Sequence, residues 1–135
     1  MNEVVLDASV VMQWFVAAKT PKAASAASDL RKRFETGSLR VLVPQLLFLE
    51  VLNVAGRRWG WEVSLLLNLA VALEAVGFEV ADPDLTAVAE WTARGLTAYD
   101  ATYVAIAEER GIPLLTGDEV ILTAAPDIAH LPERA

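Results

Sequence analysis

The 135-residue chain has no cysteine and a single histidine, His130. Without cysteine there is no disulfide and no thiolate metal site, a usage that suits a reducing compartment and an expected cytoplasmic protein. One histidine speaks against both a histidine-based metal centre and a Ser-His-Asp triad. Any metal would have to be a hard cation held by oxygen. No run of roughly 18 apolar residues is free of charges and turn signals, so no membrane span is expected. The first residues read at once as a strand, without a basic region before an apolar stretch, so no secretory signal is expected. Lysine is absent after Lys32. A phosphate-accepting receiver-type α/β domain, which needs a late strand-end lysine, therefore fits poorly.

What is present suits one domain over residues 1–135: a 55% hydrophobic share is ample for a core. The net charge of −7 argues at first against a polyanionic partner. Its distribution softens that. Residues 1–67 hold eight basic against six acidic groups, a balance of +2, and residues 68–135 hold three against twelve, a balance of −9. Lys19, Lys22, Arg31, Lys32, Arg33, Arg40, Arg57 and Arg58 all lie in the first half, although a solvated helix face explains any one of them equally well.

The pattern along the chain alternates strand and helix. Residues 3–6 form a β-branched run ending at Asp7-Ala8-Ser9, and residues 10–17 resume as a helix. Asp7 and Ser9 read either as caps of that helix or as site residues. Residues 22–35 form an amphipathic helix, and its terminal Arg31-Lys32-Arg33 suits the helix dipole without a functional role. Residues 39–43 are a second strand, closed by Pro44.

Nearly every position of the helix over residues 44–58 is apolar except one stripe, Glu50, Asn53 and Arg57, whose i, i+3, i+7 spacing puts them on one face. That face is either a solvent edge or the wall of a polar pocket. Trp59-Gly60-Trp61 and the apolar helix over residues 63–76 offer more greasy surface than a short core needs. They suit an oligomer interface, with packing inside one monomer as the alternative. A third strand over residues 77–80 is followed by a helix over residues 85–94.

The most informative stretch runs from Leu96 to Asp118. Tyr99, Tyr103, Ile106 and the alanines give a helical apolar face that opens near Asp100, and Gly111 stops it. Residues 112–115 read as a buried strand, ending at Thr116-Gly117-Asp118. Residues 119–124 form a short helix, and residues 127–131 a weak edge strand.

This order predicts an α/β domain with a mainly parallel sheet. Such sheets bind ligands beyond the carboxyl ends of their strands, where strand order reverses. Asp7 and Asp118 lie just past strand ends, and Asp100 and Glu50 can approach them. Each has a plainer explanation: Thr97 and Asp100 match capping-box spacing, and Gly117-Asp118 suits a turn and cap. Four carboxylates in one pocket repel strongly. A divalent cation removes the difficulty, and Mg²⁺ or Mn²⁺ suits carboxylate and water oxygens. Metal-assisted phosphodiester hydrolysis is the chemistry that this constellation fits best.

The chain resembles the PIN-domain family, and in particular VapC-type toxins of toxin–antitoxin pairs. The resemblance rests on Val4-Val5-Leu6-Asp7-Ala8-Ser9, on Val43-Pro44 with Glu50 and Asn53, on Leu96-Thr97-Ala98-Tyr99-Asp100-Ala101, and on Pro113-Leu114-Leu115-Thr116-Gly117-Asp118. It implies a three-layer α/β/α PIN-like domain, with about five strands in the order 3-2-1-4-5. It also implies an Mg²⁺- or Mn²⁺-dependent endoribonuclease acting on single-stranded or looped RNA. Carried over by position, Asp7, Glu50, Asp100 and Asp118 would be the catalytic, metal-binding acids. Ser9, Asn53 and Thr116 would support them by hydrogen bonding. The family further suggests a homodimer and a cognate antitoxin whose tail occupies the site, and a basic tail would suit the acidic second half. The competing expectation is a PIN-like module that binds RNA or a protein partner without cutting it.

Overall fold

Apolar runs shorter than a helix needs become the sheet, and their sequence order dictates its topology. In the computed structural model, which describes residues 2–16 and 20–134, β1 (Asn2–Leu6) is central. It pairs in parallel with β2 (Leu39–Val43) on one side and β4 (Leu114–Leu115) on the other. The edges are β3 (Glu79–Val80), parallel to β2, and β5 (Ala129–His130), parallel to β4. The order is β3-β2-β1-β4-β5, as the resemblance implies. Val4, Val5, Leu6, Val41, Leu42, Val43, Leu114 and Leu115 are all buried. Consecutive burial means that both sheet faces are covered, the usual state of parallel strands.

Seven α-helices occur among the described residues: α1 (Ala8–Met12), α2 (Pro21–Glu35), α3 (Leu46–Asn53), α4 (Val63–Ala75), α5 (Leu85–Ala93), α6 (Ala98–Arg110) and α7 (Glu119–Ala124). None is long and apolar enough to cross a membrane. The expected end of the first helix at Ala17 lies outside the described residues, as does Lys19; α1 ends at Met12 and continues as turns to Phe15.

Several boundaries differ from the sequence expectation. The fourth strand begins at Leu114 rather than at residue 112 because Pro113 has no N–H to donate, although its carbonyl still accepts from Val5 N–H at 2.9 Å. The third strand shortens to Glu79–Val80, an exposed edge pair. The helix expected to run to Arg58 stays α-helical only to Asn53, and Val54–Arg58 is a π-helical turn. α6 is closed as expected: Gly111 at φ 65° is its left-handed C-cap, a conformation that glycine adopts without a Cβ penalty.

Candidate active site

Strand register builds the centre of the site. Leu6 pairs with Leu115, so the next residue on each strand, Asp7 and Thr116, emerges beside the other at the carboxyl edge of the sheet. Strand order reverses here, because β2 and β3 lie to one side of β1 and β4 and β5 to the other. Asp7 and Thr116 are the two buried polar residues of the described chain. The Thr116 hydroxyl donates to Asp7 Oδ2, and the Ser9 hydroxyl donates to Asp7 Oδ1 at 2.5 Å. Val10 N–H adds a longer bond to Oδ1 at 3.4 Å, which makes Asp7 the N-cap of α1. Cap and site residue, the two sequence alternatives for Asp7, are compatible in one side chain.

The same hydroxyls tie in the segment after β4. Gly117 N–H donates to Ser9 Oγ at 3.1 Å, and Asp118 N–H donates to Thr116 Oγ1 at 3.0 Å. Asp118 caps α7 through Oδ1, which accepts from Val120 N–H at 2.8 Å and Ile121 N–H at 3.3 Å. Asp100 stands in the first turn of α6, where Thr97 Oγ1 accepts its N–H at 3.0 Å. Glu50, half-buried on α3, accepts at Oε1 from the Tyr103 hydroxyl at 2.5 Å. Tyr103 lies one helical turn beyond Asp100, so α6 turns both toward the same side.

Charge interactions connect the four acids. Burial pushes Asp7 up to about 6, against the hydrogen bonds from Ser9, Thr116 and Val10, and the charge of Asp118 adds to the rise. Burial also raises Asp100, with the Asp118 charge in the same direction and the Thr97 bond opposing. Glu50 is raised by burial, lowered by the Tyr103 bond and raised again by the charge of Asp100. The Tyr103 hydroxyl is held above its ordinary range by burial, by its bond to Glu50 and by the charges of Glu50, Asp7 and Asp100. It is therefore a neutral donor.

Repulsion thus links Asp7 to Asp118, Asp118 to Asp100, and Asp100 to Glu50. An all-oxygen donor set under mutual repulsion matches a hard divalent cation. The geometry adds a condition. Among the described residues, no three histidine, cysteine or carboxylate groups lie close enough together to hold a metal as they stand. The set therefore fits an ion that keeps much of its water and takes one or two carboxylates, as Mg²⁺ commonly does, rather than a closed cage.

Asn53 sits apart from this network. Its side chain is exposed and forms no hydrogen bond among the described residues; with Glu50 and Arg57 it lines an open groove bounded by Leu49, Leu66 and Tyr99. The stripe read from the sequence does share one wall, but only Glu50 turns partly inward. The helical pattern places Tyr103 on the apolar face, and that periodicity does not reveal the role of its hydroxyl. Its i+3 spacing from Asp100 was the available signal, because it puts a phenol on the face that carries the acid.

The PIN domain family model matches residues 4–125. Solved structures with the same fold include PAE2754 from Pyrobaculum aerophilum, at 24% identity and TM-score 0.69, over 98% of this chain and 91% of that one. VapC20 from Mycobacterium tuberculosis, described as a sarcin–ricin loop cleaving toxin, is 17% identical at TM-score 0.65, over 90% of this chain and 94% of its own. FitAcB from Neisseria gonorrhoeae is 15% identical at TM-score 0.63, over 98% and 99%. No curated protein matches the chain. The family match runs from within the first strand through all four acids and α7, and on that extent the chain belongs to the PIN domain family.

Proposed function

We propose that this PIN domain is a metal-dependent endoribonuclease, the toxin of a VapC-type toxin–antitoxin pair. The observation that carries the reading is the coupling of Asp7, Asp118, Asp100 and Glu50 at the point where strand order reverses. A protein with no use for a cation gains nothing from such repulsion. VapC20, a structural neighbour described as cleaving the sarcin–ricin loop, supports RNA as the substrate.

In this reading Asp7, Glu50, Asp100 and Asp118 would hold Mg²⁺ or Mn²⁺, one or two of them directly and the others through its water shell. A bound ion of this kind supplies a water of lowered pKa and neutralises charge growing at the phosphate. Ser9 and Thr116 hold the Asp7 carboxylate by one hydrogen bond to each oxygen. Tyr103 orients Glu50 as a positioning residue. Asn53, exposed beside Glu50, faces incoming substrate rather than the acids. The exposed Leu49, Val63, Leu67 and Val71 of α3 and α4 suit a homodimer interface. An antitoxin with a basic tail suits the acidic second half. The setting is cytoplasmic, and residues 1–135 act as one domain.

Purified protein is mixed with structured and single-stranded RNAs plus Mg²⁺ or Mn²⁺. The expected outcome is cleavage that is lost in EDTA and in Asp100→Asn; cleavage that survives either one is contamination. The absence of three gathered carboxylates favours a second reading, a module that binds RNA or a protein without cutting. RNA binding with no cleavage across many RNAs would select it.

A further inference from the structure

A second groove, of about 790 Å³, begins at Ser9. Ser9, Met12 and Gln13 line it from the start of the chain, Val54 and Arg58 from the π-helical turn, and Trp59 from the C-cap of that turn. It adjoins the acids directly, because Ser9 Oγ is the atom that donates to Asp7 at 2.5 Å.

Three features distinguish this groove. Arg58 is the one charged residue among the described residues lining it, whereas in the groove on the other wall of the π-helical turn Arg57 is accompanied by Glu50. Arg58 also takes part in no ion pair among the described residues. Trp59 is 40% exposed, and its ring is braced by Trp61 at 5.6 Å and a 42° tilt. It therefore combines an open surface with a fixed position. Gln13 Oε1 is buried with no hydrogen-bond partner among the described residues, an acceptor whose lost hydration is uncompensated. π-helical turns are uncommon and cluster at functional sites.

An open indole, a lone guanidinium and an unanswered acceptor match the parts of a nucleotide. The base has a π face, the phosphate has oxygens for the guanidinium, and the base edge carries N–H donors. We propose that this groove binds a nucleotide of single-stranded RNA beside the bond being cut. Its base stacks on Trp59 and its phosphate meets Arg58, and the Gln13 amide, whose Oε1 is buried at the groove wall, turns outward to accept a base N–H. The inference rests on the RNA-cleaving reading. It also explains how a chain of charge −7 receives a polyanion: through a local cation and stacking, not through its overall field.

The test is the anisotropy of short labelled single-stranded RNAs of each base, measured in EDTA so that binding is independent of metal and cleavage. Trp59→Ala is expected to weaken binding at least about fivefold, and Trp59→Phe to retain most of it. Arg58→Ala is expected to reduce the slope of log affinity against log salt by about one. Gln13→Ala is expected to flatten the preference among bases without changing that slope. Circular dichroism and thermal melts check that each variant is folded, and Arg58→Ala supplies the test if Trp59→Ala is not. Wild-type affinity in folded Trp59→Ala and Arg58→Ala, or no RNA binding by the wild type, overturns the proposal. Metal-dependent cleavage with Trp59-independent binding overturns the groove alone. Trp59-dependent binding without cleavage by the wild type supports the groove and removes the ribonuclease reading.

Discussion

Asp7 and Glu50 reach the same site by opposite means. Asp7 follows the central strand, is almost fully buried, and has both oxygens held by hydroxyls from two segments that the sheet brings together. Glu50 sits on a helix, half open to a groove, and its single partner is Tyr103, 53 residues away. Register places the first; helix packing and one hydroxyl place the second. The first should therefore control whether a cation binds and what the fold costs, and the second how well the bound ion and substrate are aligned.

The sharpest way to break the comparison is to remove the Asp7 charge. Its folded-state value of about 6 lies above the ordinary 3.8, so the metal-free native state holds that proton more tightly than the unfolded chain. Its contribution is full below about pH 4 and is lost as pH rises through about 6, a change of about 3 kcal/mol. Asp7→Asn is expected to abolish this fall, seen as a denaturant midpoint that no longer drops between those pH values. The same variant is expected to lose cleavage by more than about 100-fold, since groups one step removed from a metal already account for 10- to 100-fold. A variant that is destabilised at neutral pH, or that still cuts, would end the account of Asp7 as a costly anion kept for function.

Adding Mg²⁺ or Mn²⁺ should recover the stability that the ionised cluster costs. At a hundred times its dissociation constant, the ion should stabilise the wild type by about 2.7 kcal/mol, and much less in Asp7→Asn. Thermal melts with and without metal make the comparison.

Thr116→Val probes the same cluster from the side of β4. It leaves Asp7 Oδ2 and Asp118 N–H without their partner, at a cost of about 1–3 kcal/mol at neutral pH. The cost should shrink below about pH 4, where Asp7 is protonated.

On the Glu50 side, Tyr103→Phe removes the bond that lowers the Glu50 carboxyl. The acid limb of the cleavage profile should therefore move to higher pH. kcat should fall by about 10- to 100-fold, while KM changes little. A profile that stays in place would reduce Tyr103 to a packing residue.

The smallest effect belongs to Asn53→Ala, exposed and unbonded. Stability should change by less than about 0.5 kcal/mol, so any larger loss of cleavage would assign Asn53 to the substrate.

Most of the fold was legible because β1, β2 and β4 lie in short, largely apolar runs and the long helices α2, α4 and α6 in longer ones. β1 and β2 stand where their β-branched runs are, and α6 runs from its Thr97 cap to its Gly111 stop. The misjudged boundaries turn on events that hydrophobic period does not encode. Pro113 withholds an N–H, and the ladder of α3 widens into a π turn after Asn53.

Within the candidate site, Asp7, Ser9, Thr116 and Asp118 lie just past strand ends, and a parallel sheet delivers such positions to one edge whatever else the chain does. The sequence by itself therefore determined the class of fold, the edge at which polar groups collect and the oxygen-only character of any metal site. Only the tertiary structure decided which hydroxyl answers which carboxylate. Tyr103 turns to Glu50, and Thr116 rather than solvent meets Asp7. Asn53 is left facing outward. Local periodicity assigns a side chain to a face, but hydrogen-bond partners come from elements far apart in sequence, and burial sets the cost of the charge. Asp7, read as a cap or a catalyst, caps α1 and stands at the candidate site as well, because β1 and β4 meet beside it.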